Sequence, residues 1–305
     1  MERLKRAQEL CRGAGLTDEM FIENMVMVYL GVRSLSLVSL PAELPGGDII
    51  GRKIDIMYRE SLRKIEERTS LSKVGLAIRT MGMSSIQRKR FLLRQAYHET
   101  LRETHAYRSL FEAAAALDMS YLPFEVRPSI QEVYFCRAQD SREQLLRLVQ
   151  SRVMIRQEAW ARATADTPYW LLAYPEEHEP DFMRRLGKLL GYPDCCVSSY
   201  VKERLSGKNV ERRAARQLTL ATKEGGFSPW AFFVKHFFPC RPDCAAAVRQ
   251  GETARVALGM VCSGLAEEYA RTRYARIGQV LVGPDEVADH LRNLQQLEPP
   301  AASPE

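Results

Sequence analysis

Along roughly the first 120 residues, apolar positions return every three or four places, the spacing of helices with one buried face. Leu4, Ala7, Leu10 and Cys11 make one such stripe, closed by Gly13 and Gly15. Thr17 or Asp18 is placed to cap a second helix through "EMFIENMVMVYLG", which Gly31 ends. The stretch "SLVSLPAELPGGD" (36–48), with Pro41, Pro45, Gly46 and Gly47, reads as a break. Two further helices fit "DIIGRKIDIMYRESLRKIEERTS" and "SSIQRKRFLLRQAYHETLRETHAYRSLFEAAAALD", the second carrying Leu93, Tyr97, Leu101, Ala114 and Leu117 inward. This pattern predicts an all-helical N-terminal half.

The period then shortens. "QEVYFCRA" (131–138) and "TPYWLLAY" (167–174) are short β-branched and aromatic runs with the character of buried strands. Between them, Ser141 and Gln144 have the spacing of a capping box that opens a helix to about Ala165. "DFMRRLGKLL" predicts a short helix ended by Gly191 and Pro193, followed by helices over 195–206, 209–223 and 252 to about 277. "GQVLVG" (278–283) reads as a small late strand, "DEVADHLRNLQQL" as a helix, and "EPPAASPE" as too polar and proline-rich to fold. The expected fold is α+β and predominantly α-helical: a helical N-terminal half, then a small strand–helix–strand unit followed by helices. The expected domains are a helical domain over 1–122, an α+β Cys/His-site domain over 123–297 and a disordered tail over 298–305.

Composition narrows the class of protein. With 305 residues, 46% of them hydrophobic, the chain can bury one large core or two modest ones. Seven cysteines are too few for a disulfide scaffold of this length, and "MERLKRAQEL" has no apolar segment of signal-peptide type, so reduced thiols and a cytoplasmic location are expected. The longest weakly polar run, "VALGMVCSGLA" (256–266), falls short of the roughly 20 residues of a membrane span. The formal charge of +6 is spread among interspersed acids. Its densest basic stretch, "QRKRFLLR" (87–94), reads as a solvated helix face, so nucleic acid is not expected as a partner. His98 and His105 read as an ordinary polar helix face, and the acids of "YPEEHEPD" (174–181) as a helix-start preference with a possible general base among them. Phosphate loops, dinucleotide fingerprints, serine elbows and H-E-x-x-H are absent.

The cysteines are unevenly placed. Four of the seven fall in "LLGYPDCCVSSYV" (189–201) and "KHFFPCRPDC" (235–244). Asp194 is a good N-cap, which puts Cys195 and Cys196 in the first turn of a helix, where free amides and the helix dipole favour thiolate. Asp243 after Pro242 repeats the device and puts Cys244 in a first turn, with Cys240 and His236 each four residues earlier in succession. Thiolates with an imidazole suit zinc, copper(I), iron or an iron–sulfur cluster, so Cys195, Cys196, His236, Cys240 and Cys244 are the candidate metal ligands. Adjacent cysteines leave a helix about 100° apart, so only one of Cys195 and Cys196 is expected to face a common centre. A Cys240–Cys244 disulfide or redox pair and plain packing are the competing readings. Cys11, Cys136 and Cys262 read as core.

"LGKLLGYPDCCVSSYV" followed by "FSPWAFFVKHFFPCRPDCAAAV" resembles the Gly-Tyr-Pro-x-Cys-Cys and His-x-x-Pro-Cys-x-x-x-Cys pattern of an uncharacterised prokaryotic family, the domain of unknown function 483. The resemblance covers about 165–250, and its second half departs slightly in the two phenylalanines between His236 and Pro239. It implies that Gly191, Tyr192, Pro193, Cys195, Cys196, His236, Pro239, Cys240 and Cys244 act as one unit, and it brings no activity with it. The expected function is metal-dependent, iron–sulfur or thiol redox chemistry on a small molecule or protein partner. The alternatives are a non-catalytic module with a structural zinc and a nucleic-acid-binding accessory protein.

Overall fold

The apolar repeats that open the chain fold as helices. The computed structural model describes residues 1–66, 84–164, 167, 172 and 174–296, with the side chains of all but 65, 66, 86 and 282–296. Two compact units result, Met1–Arg142 and Glu143–Glu305. The fold is α+β and predominantly helical, as the sequence predicts, and among the described residues its strands form one small antiparallel sheet in place of the expected strand–helix–strand unit. Among the described residues no helix is long and apolar enough to cross a membrane.

In the first unit, α1 (Glu2–Gly13) buries Leu4, Ala7 and Cys11. Thr17 caps α2 (Asp18–Phe21) by accepting from the Met20 amide at 3.1 Å. A fully buried π-helical turn, Ile22–Val26, then leads into α3 (Met27–Tyr29). The expected all-helical half is corrected here, because β1 (Leu35–Leu40) occupies much of the stretch read as a break. It pairs antiparallel with β3 (Ile130–Cys136), whose other neighbour is β2 (Ser120–Arg127), giving the order β1-β3-β2. Pro123 lies within β2 without breaking the sheet because β2 is an edge strand, whose outer side needs no amide donor. Central β3 is the run expected from "QEVYFCRA", and Val133, Tyr134, Phe135 and Cys136 are buried. The other expected strand, 167–174, lies outside the described residues except at 167, 172 and 174, and the expected tail lies wholly outside them.

The long helix read over "SSIQRKRF…ALD" is two, α4 (Gly47–Glu66) being followed by α5 (Ser85–Glu103) and α6 (His105–Ala116). Ser84 and Gln87 form the capping box of α5, and the break at Thr104 sets His98 and His105 on separate helices. The helix expected from Ser141 begins earlier: α7 spans Gln139–Arg162, so Ser141 is a buried first-turn residue and not the cap.

The second unit holds α8 (Pro180–Leu189), α9 (Asp194–Leu205), α10 (Val210–Glu224), α11 (Ala245–Val261) and α12 (Ser263–Gln296), with 3-10 turns at Pro175–His178 and Pro229–Phe232. The expected late strand 278–283 is corrected, since that stretch continues α12, which buries Ile277 and Val280 three residues apart on its inner face. Cys262, expected in the core, is exposed at the extended break between α11 and α12.

The acids of "YPEEHEPD" divide in two. Glu176, 1% exposed, takes Arg152 Nε at 2.7 Å and Arg156 at 2.5 and 3.0 Å. Burial pushes its carboxyl up, but the two guanidiniums outweigh that and hold it below the usual carboxylate range. The folded value is therefore the lower one. The stabilisation is complete above the unfolded pKa of about 4.3 and is lost as pH falls through the folded value. Replacing Glu176 by Gln removes the negative charge on which two guanidiniums converge, that of Arg152 buried, and is expected to cost about 3–5 kcal/mol in urea unfolding at neutral pH. The difference from wild type should shrink in acid. An equal difference at all pH values would contradict the ion-pair account.

Candidate metal centre

α8 ends as its sequence asks. Gly191 takes φ +75, and the Tyr192 amide reaches back to the Gly187 carbonyl at 2.9 Å, the closing bond of a Schellman turn. Pro193, with φ −59, then starts α9, so that Asp194, Cys195 and Cys196 are its first three residues. The two helices meet closely at Gly187, where a Cβ would lie 2.7 Å from Val197. The turn also throws the Tyr192 ring against Phe233 and Phe237, at centroid distances of 6.2 and 4.9 Å. "GYP" and "HFF" are thus two sides of one aromatic contact that brings the cysteine segments together.

The second segment is braced from several directions. Tyr269 donates to the Phe233 carbonyl at 2.9 Å and Arg273 to that of Phe232 at 2.7 Å. Arg213 of α10 pairs with Glu203 of α9 at 2.9 Å and donates to the Pro239 carbonyl. Cys244 is the N-cap of α11, so this helix begins one residue later than its sequence suggests. Gly251 lets α11 lie against the Pro229–Phe232 turn, since a Cβ there would sit 2.3 Å from the Trp230 carbonyl oxygen.

Four sulfur atoms meet where these segments converge. Cys195 and Cys196 Sγ lie 3.9 Å apart, and they stand 3.7 and 3.6 Å from Cys244 Sγ. The Cys240 amide points at Cys196 Sγ from 3.4 Å. Cys195, Cys196, Cys240 and Cys244 Sγ all fall within 4.8 Å of one another and could hold a metal ion. The expectation that Cys195 and Cys196 diverge is corrected: their Cα–Cβ bonds do, but rotation about χ1 returns both sulfurs to one point. His236 is placed elsewhere. It is exposed and lines an open cleft of ≈ 680 Å³ together with His178, Tyr200, Arg204, Lys208 and Phe238. The spacing of four residues before Cys240 carried no information on which way the intervening loop turns.

Cys196 and Cys244 are 2% and 4% exposed, Cys240 is half-buried and Cys195 is exposed. Burial, with the neighbouring thiols, pushes Cys196 strongly up and Cys240 up to about 11. Cys244 is the exception: burial raises it, but the Ala247 amide and the surrounding thiols outweigh burial and lower it. Two helix N-termini and these amide donors are suited to anionic sulfur.

Residues 179–262 match a family described only as protein of unknown function (DUF483). The matched segment runs from the start of α8 through the end of α11 and so contains all four thiols, the Schellman turn and the aromatic contact. No curated protein and no solved structure matches the chain.

The close approach at Gly251 gives a test of how the centre is framed. Gly251→Ala must displace backbone and is expected to cost about 1–3 kcal/mol in chemical denaturation. Gly259→Ala on the same helix, whose Cβ would meet Ala266 at an ordinary 3.7 Å, should be neutral or stabilising. Equal effects of the two would remove the close packing from the account.

Proposed function

We propose that Cys195, Cys196, Cys240 and Cys244 bind one zinc ion as thiolates, in a closed centre that fastens the start of α9 to the start of α11. The observation that carries this reading is the sulfur spacing. A Zn–S bond of about 2.3 Å in tetrahedral geometry requires sulfurs about 3.8 Å apart, and three of the six separations here are 3.6, 3.7 and 3.9 Å. A 4Fe–4S cluster attaches its four cysteines to four different irons and a 2Fe–2S cluster attaches two to each of two irons, so in either some sulfurs must stand further apart than the 4.8 Å that bounds all four here. Four thiolates complete the zinc shell and leave no open position, the mark of a structural site. The ion would supply the positive charge that allows four neighbouring sulfurs to be deprotonated together, and the Cys240 and Ala247 amides would share the remaining negative charge.

A redox thiol centre is the second reading, favoured by the exposure of Cys195 3.7 Å from Cys244 Sγ. The two readings differ in metal content, and an iron centre would differ from both in colour. Protein purified without oxygen should contain about one zinc per chain and show no visible charge-transfer bands. Serine at Cys196, Cys240 or Cys244 should abolish stoichiometric zinc, whereas His236→Ala should retain it. Because Cys196 and Cys240 titrate high without metal, zinc binding must release protons, and affinity should climb steeply with pH. Iron with visible bands, or full zinc retention in the serine variants, would refute the zinc reading.

A further inference from the structure

The cleft that His236 lines is left without a role by a closed zinc site, yet it gathers two histidines, an arginine, a lysine and two tyrosines. Its volume of ≈ 680 Å³ lies within the range of small-molecule sites. Tyr200 and Arg204 enter it from one face of α9, a turn apart, Lys208 comes from the α9–α10 connection, His178 from the 3-10 turn before α8, and His236 and Phe238 from the loop that leads to Cys240.

We propose that this cleft binds a small organic anion, a phosphate ester or carboxylate carried on a flat ring. The fixed charges balance, since the lining holds Arg204 with its partner Glu177, and Lys208 with Glu211. Preference for an anion therefore rests on directed donors. The Arg204 Nε is shielded from solvent and has no hydrogen-bond partner among the described residues, which is costly unless an acceptor arrives. The first turn of α10 faces the same space, with Val210 and Glu211 in its lining. The Asn209 side chain is already used in capping Arg212 at 2.9 Å, while first-turn amides have no acceptor within their own helix. Lys208 and the Tyr200 hydroxyl add further donors, and His178 and His236 line the same space. The rings of Tyr200 and Phe238 give the flat, apolar wall that a ring would stack on.

The cleft and the thiol cluster also share their framework. α9 carries Cys195 and Cys196 at one end and Tyr200 and Arg204 further along, and His236 and Phe238 precede Cys240 by four and two residues. Fastening the two segments at the sulfurs sets the distance between opposite walls of the cleft. The anion site follows from the cleft's own side chains, so it stands or falls separately from the identity of the metal.

Isothermal titration of the full chain as purified, with its metal content measured in parallel, tests the proposal. The probes are phenyl phosphate, AMP, inorganic phosphate and benzoate. Phenyl phosphate or AMP is expected to bind saturably and more tightly than inorganic phosphate. Lys208→Ala and His236→Ala should each weaken binding about tenfold while keeping the metal content and melting temperature of the wild type. Lys223→Ala, at the exposed end of α10, should change nothing. Benzoate binding better than phenyl phosphate, with the same response to the variants, would assign the site to carboxylates and equally support it. No saturable binding of any probe at millimolar concentration, or affinities indifferent to both cleft variants, would overturn the proposal.

Discussion

Four thiols within 4.8 Å of one another are a constraint before they are a site. As thiolates they would repel, and as neutral thiols they satisfy one another only weakly, so their meeting must be enforced by other contacts or stabilised by a cation. The first of these means is visible. The Schellman turn at Gly191 aims Tyr192 at Phe233 and Phe237, Arg213 ties α9 and α10 to the Pro239 carbonyl, and Tyr269 and Arg273 hold the carbonyls before it. None of these groups is a sulfur ligand. Each removes a freedom that the sulfurs would otherwise use to separate.

The matched segment, 179–262, follows the same logic. Its glycine, tyrosine and proline near 191–193 set the direction of a turn, and its phenylalanines near 233–237 receive the ring that the turn delivers. Residues that look in the sequence like a second, aromatic motif are the far half of the same contact. The interior of this part of the chain is built as much on aromatic stacking and carbonyl capture as on aliphatic packing.

Much of this could be read from the chain alone. Helix-period stripes, helix-start cysteines and the Gly-Tyr-Pro turn are local signals, and they point to most of the helices and to the four clustered cysteines. What escaped was non-local. β1, "LSLVSL", is a fair period-2 strand, but its neighbouring prolines and glycines were the stronger signal, and β2 hides behind a Pro123 that only an edge position can tolerate. The ion cluster at Glu176 joins residues 20 and 24 places apart, a pairing that no spacing rule anticipates. Cys195 and Cys196 were expected to diverge because helix geometry describes where Cβ points and leaves χ1 open. His236 has the spacing of a ligand, but its direction depends on a loop held from outside by Arg213 and Tyr269.

The separation of the two cysteine segments in the chain also has a consequence for biosynthesis. Cys240 lies 44 residues beyond Cys196, and Cys244 48 residues beyond it. At a synthesis rate of about 5–20 residues per second, the first two thiols precede the others by about 2–10 s. During that interval the nascent chain carries an adjacent thiol pair at the start of a helix, open to metal or oxidant, with the other half of the cluster still unmade. The order of translation thus makes the first pair an early half of the cluster, and the later arrival of Cys240 and Cys244 is the step that completes the four thiols.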